Sequence, residues 1–302
     1  MRNNPSRISS RIYEEEKDFQ IIINLMTAIR PPKHLNDYPV KIDIEENLAF
    51  AVVRANTRLW FDNRQPIAWA YVDEFNNLWW EFDKRYEELI DAQIVEWGES
   101  CVRKTIRENE LTTLDTSCRE DYAERITFLK RYGFRQTENI TIMMVRDLFE
   151  SIRGAKLPPG FMIRPIAGSN EAEAVAKMHR AAFGTDYMTT ENRLAIMNTS
   201  EYDPSLDLIV IAPDGAIVAN CICLVNPQEK SGSTDPVAAH PRYQNMGLAR
   251  ALLTTGMELL KAHGMLSARL GTSDDNIAMQ RAAEAVGFKV EYRKIWFAKK
   301  AY

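Results

Sequence analysis

Cysteine and histidine are both scarce, four of each among 302 residues. Cys221 and Cys223 stand two apart on one strand face, and Cys101 and Cys118 are isolated. No histidine or further cysteine clusters with them, so the spacing supports neither a zinc-type ligand set nor a disulfide framework, and no metal is expected. No apolar run approaches the roughly 20 residues that cross a bilayer, and no N-terminal apolar stretch carries a cleavage signal. The expectation is a chain of the reducing cytoplasm without a membrane partner. A basic excess is missing too. Lys and Arg number 38 against 42 Asp and Glu, leaving a net charge of −4, which argues against nucleic acid as a partner. Hydrophobic content of 45% and charged content of 26% are those of an ordinary globular chain.

The length exceeds what one domain of roughly 150 residues uses, and the sequence divides itself. Ser151 to Gly160 is a polar break containing Pro158, Pro159 and Gly160, followed by the apolar start Phe161 to Ile166. The N-terminal region begins alike, with Ser6 to Tyr13 before a helix over about Glu15 to Ile29. The halves also end alike: Thr127 to Phe134 and Arg281 to Phe288 each close a helix on Gly-Phe and lead into an apolar strand. Two domains are expected, 1–150 and 161–302, joined by a linker at 151–160.

The second half carries the chemistry. Thr234 to Ala239 reads as a strand that stops at His240-Pro241. Leu248 to His263 places Leu248, Leu252, Leu253, Leu259 and Leu260 at helical spacing, with Gly264 as the stop. Between them lies Gln244-Asn245-Met246-Gly247-Leu248-Ala249. Gly247 and Ala249 put almost no side chain between the backbone and an incoming ligand, so amides of residues 245 to 250 can converge on an anion at the positive end of the helix. Arg250, in the first turn, adds a charge. Met265 to Gly271 reads as the next strand, and Asn276 opens a helix closed by Gly287.

The order strand, HPxxQxxGxA turn, helix, strand, Asn276-started helix and Gly287-Phe288 resembles the GNAT superfamily of acyl-CoA-dependent N-acetyltransferases. The close match covers about the last quarter of the chain. A looser one extends over 161–298, including His179 to Phe183 and Asp203 to Gly215, and is similar to tandem GNAT proteins such as the mycothiol synthase family. The resemblance implies an α/β (α+β) fold class: two tandem GNAT folds, each a mixed, mostly antiparallel sheet flanked by helices. It implies acetyl-CoA as co-substrate, with the pantetheine arm against Val237, Ala238 and Ala239. The pyrophosphate would rest on Gln244, Asn245, Met246, Gly247, Leu248, Ala249 and Arg250, and Asn276 would either bond the pantetheine, cap its helix, or do both. The acceptor would be a small-molecule amine; its identity and the oligomeric state are not implied. The other function class consistent with these residues is a non-catalytic acyl-CoA-binding module.

Acyl transfer to an amine needs a base and an acid. Alternation along a strand puts 233, 235 and 237 on one face, which makes Asp235 the candidate base, directly or through water, with His240 as the alternative and His179 as a residue of the acceptor pocket. The family's acid is a tyrosine seven residues after the Asn, and here that position is Ala283. Either Tyr292, the nearest hydroxyl in sequence, replaces it, or the thiolate leaves without a dedicated acid.

In the first half the segment answering the phosphate loop is Phe82 to Ala92. It has no glycine, and three carboxylates stand among Glu87, Glu88 and Asp91, which repel an anion. The expectation is a first domain that has kept the fold and lost the cofactor, with Trp69, Tyr71, Trp79 and Trp80 as sheet core.

Overall fold

A computed structural model describes residues 8–14, 16–35, 37–104 and 112–301. The ends of three expected segments, Ser6 and Arg7, Glu15, and Tyr302, lie outside these. The chain forms two compact units, one of residues 1–138 with 295–302 and the other of 139–294. Both divisions fall inside strands, whereas the polar break at 151–160 does not divide the units. Ile152, Leu157 and Phe161 lie half-buried on the second unit's core, so the Pro/Gly stretch is packed chain rather than a free tether.

The first unit runs β1 (Ile8–Ile12), α1 (Glu16–Ile29), α2 (Lys41–Ala49), α3 (Ala51–Ala55), β2 (Thr57–Asp62), β3 (Gln65–Val72), β4 (Leu78–Phe82), α4 (Glu87–Arg103), β5 (Thr113–Arg119), α5 (Ala123–Arg131) and the start of β6 (Arg135–Asp147). Strands β1-β2-β3-β4 form an antiparallel sheet in that order, and β5 touches it through a parallel bridge between Asn77 and Asp115. Period-two alternation explains its two cores. Ala68, Ala70 and Trp80 pack with Ile90, Ile94 and Val102 of α4, while Trp69, Tyr71 and Trp79 pack with Ile22, Met26 and Ile44 of α1 and α2. The aromatic cluster is sheet core, as its sequence spacing implies.

The second unit continues with β7 (Met162–Pro165), α6 (Ala172–Phe183), α7 (Thr190–Met197), β8 (Asp207–Ile211), β9 (Ile217–Asn226), β10 (Ser231–Ala239), α8 (Leu248–Ala262), β11 (Ser267–Ser273), α9 (Ile277–Ala285) and β12 (Lys289–Lys300). Its strand order is β12-β6-β11-β10-β9-β8-β7. The β6–β11, β10–β9, β9–β8 and β8–β7 pairs are antiparallel, and β10–β11 is parallel. Helix α8 buries Leu248, Leu252, Leu253, Met257 and Leu260 on one stripe, each worth about 1.5–3 kcal/mol by its removal from water. It approaches the sheet so closely that a Cβ on Gly256 would stand 2.7 Å from Cys223 Sγ. Helix α6 covers the opposite face, where Val175 packs with Ile209.

Candidate functional site

Strand β10 changes partners along its length. Its parallel pairing with β11 spans Ser231 to Ser233, while β11 continues to Ser273 against β6. On the other side β10 follows β9 as far as Ala239. From Thr234 onward, therefore, one edge of β10 faces a wedge between diverging parallel strands. A strand edge in such a wedge offers amide donors and acceptors to an extended ligand, and Val237, Ala238 and Ala239 carry that edge.

The wedge leads to the turn before α8. His240 caps a short 3₁₀ turn, Pro241–Tyr243, by accepting the Arg242 N–H on Nδ1 at 3.2 Å, so the histidine serves the turn. Gln244 is extended, Asn245 has φ 61° and Gly247 has φ 81°. Gly247 is the N-cap of α8, with no side-chain capping bond and no acidic residue in the first turn. Left-handed backbone favours glycine, and a bare N-terminus leaves the first-turn amides and the dipole's positive end open to an anion. Gln244, Asn245, Met246 and Arg250 are exposed, Gly247 and Ala249 half-buried, and Leu248 is anchored in the core. A Cβ built on Gly247 would lie 3.5 Å from Arg250 Nη2, which places the guanidinium over the bare turn. Among the described residues neither Arg250 nor Arg242 has a carboxylate within ion-pair distance. Arg242 is a second uncompensated cation that the motif did not single out.

Asp235 reaches its position by a route that simple alternation misses. The β10–β9 register shifts between Thr234 and Val237. Thr234 faces α8, since its Cγ2 lies 3.4 Å from a Cβ built on Gly256, and Val237 packs against the same core. The bulge thus turns Val237 away from the face shared by Ser233 and Asp235, and the expected common face of 233, 235 and 237 does not form. Asp235 instead points to the side covered by α6. Its surface is open to water, yet the surrounding protein raises its pKa to about 6, opposed by the Lys294 ammonium. Those two properties together describe a carboxylate in an open cleft, where the ionised form is less hydrated than on a free surface.

Tyr292 is buried on β12, three strand steps from β10, or about 14 Å at ordinary strand spacing. It shares a face with Lys294, two residues on, whose charge acts on Asp235. Ala283 is fully buried in the core with Leu248 and Phe288, so that position offers neither a hydroxyl nor access to the cleft. Asn276 caps α9, accepting the Met279 N–H at 3.1 Å, and its exposed side chain keeps an NH₂ donor pair. His179 lies on α6 with its ring 4.5 Å from that of Phe183. Burial, then the nearby Arg193 and Arg180 cations, depress its pKa to about 4.

Comparison with known proteins bears on the fold and on family similarity. Residues 172–288 match the acetyltransferase (GNAT) family. Two curated relatives, each called mycothiol acetyltransferase, from Pseudarthrobacter chlorophenolicus and an Arthrobacter species, are 25% identical over 166 residues. The match takes in 52% of this chain and spans about half, 51%, of each relative's length. Among solved structures, a GCN5-related N-acetyltransferase from Sphaerobacter thermophilus superposes with a TM-score of 0.72 at 18% identity, covering 98% of this chain and 96% of that one. A tandem GNAT protein from the clavulanic acid biosynthesis pathway gives 0.72 at 14% identity, covering 98% of both. These likenesses show the fold over nearly the whole length, and residues 172–288 are similar to the acetyltransferase (GNAT) family.

Proposed function

We propose that the second unit is an acetyl-CoA-dependent N-acetyltransferase acting on a small-molecule amine. The observation that carries this reading is the turn from Gln244 to Arg250, a left-handed glycine N-cap without capping side chain or acidic neighbour, overhung by an uncompensated guanidinium. Such a turn fits a pyrophosphate. The wedge edge of Val237 to Ala239 suits the amides of a pantetheine arm, and Asn276 stands at the start of α9 with spare donors for it. In chain order we take 1–150 as a degenerate copy of the fold, 151–160 as the connection and 161–302 as the working copy.

With both substrates bound, Asp235 removes a proton from the acceptor ammonium, directly or through water. The freed amine attacks the thioester carbonyl, a C–N bond forms, the C–S bond breaks with its electron pair leaving on sulfur, and the surplus proton on the new amide nitrogen passes to that thiolate. A pKa near 6 leaves Asp235 mostly ionised at neutral pH while keeping it a competent base. Tyr292, the hydroxyl expected from the sequence as the acid, stands three strands from β10, so we assign the thiolate's departure to the alternative without a dedicated acid. A second reading, a non-catalytic acyl-CoA-binding module, is favoured by one observation, the buried Ala283 at the place of the family's acid.

Calorimetric titration with CoA, followed by acceptor-dependent thiol release from acetyl-CoA across a panel of amines, tests the proposal. Tight CoA binding with amine-dependent release is the expected result. Binding without release across the panel supports the second reading, and absence of binding overturns both.

A further inference from the structure

The face of the second unit's sheet that α6 covers holds more polar groups than the transfer reaction uses. Asp207 on β8 is fully buried. Arg193 Nη2 and the Tyr202 hydroxyl, the latter at 2.5 Å, both donate to its Oδ2, and its Oδ1 has no partner. Asn220 on β9, also buried, has an unpartnered Oδ1. Strand register puts the two together: Asn220 stands opposite Ile209, and Asp207 is two residues from Ile209 on the same face, which makes them diagonal neighbours across the pair. Asn220 also stands opposite Ala238 of β10.

Helix α6 brings a third group. Val175 is fixed over Ile209, and His179 follows Val175 by one turn on the same helical stripe. Its Nδ1 is buried without a partner, and Arg193, which holds Asp207, is close enough to act on its charge. Buried polar atoms in folded proteins find partners. Here two carbonyl-type oxygens and an imidazole nitrogen gather beneath one helix on the face that also carries Asp235. Oxygens of this kind only accept, so the complement is a ligand bringing donors.

We propose that Asn220, Asp207 and His179 form a polar floor for the acceptor. The preferred acceptor is then an amine bearing hydroxyl or further ammonium donors besides its reacting nitrogen, and an apolar amine of the same size is rejected. This rests on the acetyltransferase reading above.

A matched pair of probes isolates the floor: 2-amino-1,3-propanediol and pentan-3-amine share a skeleton and differ in two hydroxyls against two methyls. Binding of each to the full chain saturated with CoA is measured by calorimetry. The diol is expected to bind at least tenfold more tightly than the alkyl amine. Asn220→Leu and His179→Phe are each expected to erase most of that preference while CoA affinity stays unchanged. Asn220→Ser, with a smaller side chain, is the check should leucine disturb the sheet. Equal binding of the two amines, absence of diol binding, or a preference unaltered in the variants overturns the floor. Loss of CoA binding by the unaltered protein instead overturns the acetyltransferase reading itself, so the two failures are separable.

Discussion

Each unit sets a helix after a sheet strand, and the two helix starts differ in what already neutralises them. In the first unit Glu87 and Glu88 occupy the opening turn of α4, and Asp83 caps the short turn before it by accepting the Arg85 N–H at 3.0 Å. In the second, α8 opens on Gly247 with no acidic residue in its first turn. The strands carry the same contrast. Glu81 on β4 accepts from Arg30 at 2.7 Å and Arg125 at 3.0 Å. Burial alone would raise its pKa, but the two arginines outweigh it and the pKa is lowered. Asp235 on β10, though open to water on one side, has its pKa raised to about 6 because the protein around it displaces solvent, an effect that the Lys294 charge only partly opposes. At these two corresponding places the first unit pairs its charges internally and the second leaves them uncompensated.

Substitutions can break this contrast in order of expected effect. Asp235→Asn should lower kcat by about 10²–10⁴ and remove the rise of rate with pH through about 6, with CoA affinity unchanged; a pH–rate profile that keeps that limb removes Asp235 as the base. Gly247→Val should weaken CoA binding by roughly a hundredfold or more, by filling the turn and straining a left-handed backbone. Circular dichroism and calorimetry together separate lost affinity from lost fold.

Stability should distinguish the two carboxylates by sign. Glu81→Ala strands two arginines and should cost about 3–5 kcal/mol in urea denaturation. Asp235 is different: with a folded pKa above its ordinary value, its stabilising influence is present at low pH and lost as pH rises through about 6. Asp235→Asn should therefore be neutral or stabilising at pH 7. Arg250→Gln should weaken CoA binding about tenfold, the scale of one charge-assisted hydrogen bond.

His179 gives the smallest effect. Its pKa is depressed to about 4, so the unfolded chain binds the extra proton between about 6.5 and 4, and stability present above that window is lost as pH falls through it. His179→Phe should flatten the acid side of the stability curve. An unchanged slope would show that the ring meets water more freely than its surroundings imply.

The turn before α8 was legible as backbone because its signals are local: a glycine where φ must be positive, a proline at the strand end, and leucines at helical spacing. Helix α8 begins at Leu248 and stops before Gly264 as those signals require. The facing of Asp235 was not legible, because the β10 bulge depends on how β9 accepts the extra residues around Pro236. The polar floor left a faint trace, a lone Asn220 inside an otherwise apolar strand from Ile217 to Val225. Nothing local ties that asparagine to Asp207, since only strand register makes them neighbours. The division of the units was hidden for the same reason: a Pro/Gly stretch marks chain without side-chain periodicity, and whether it packs is decided by residues far away.

The first unit takes its last members from the far end of the chain. Phe297 is fully buried among Trp60, Ile67, Leu78 and Ile94, and Ala301 joins that cluster. A ribosome delivers the polypeptide from its N-terminus, so Trp60 and Leu78 are synthesised more than two hundred residues before the phenylalanine that completes their packing. The region made first is thus the one finished last. While the second unit is being translated, the first must wait with part of its apolar interior uncovered, an exposure that chaperone capture during synthesis would be expected to register.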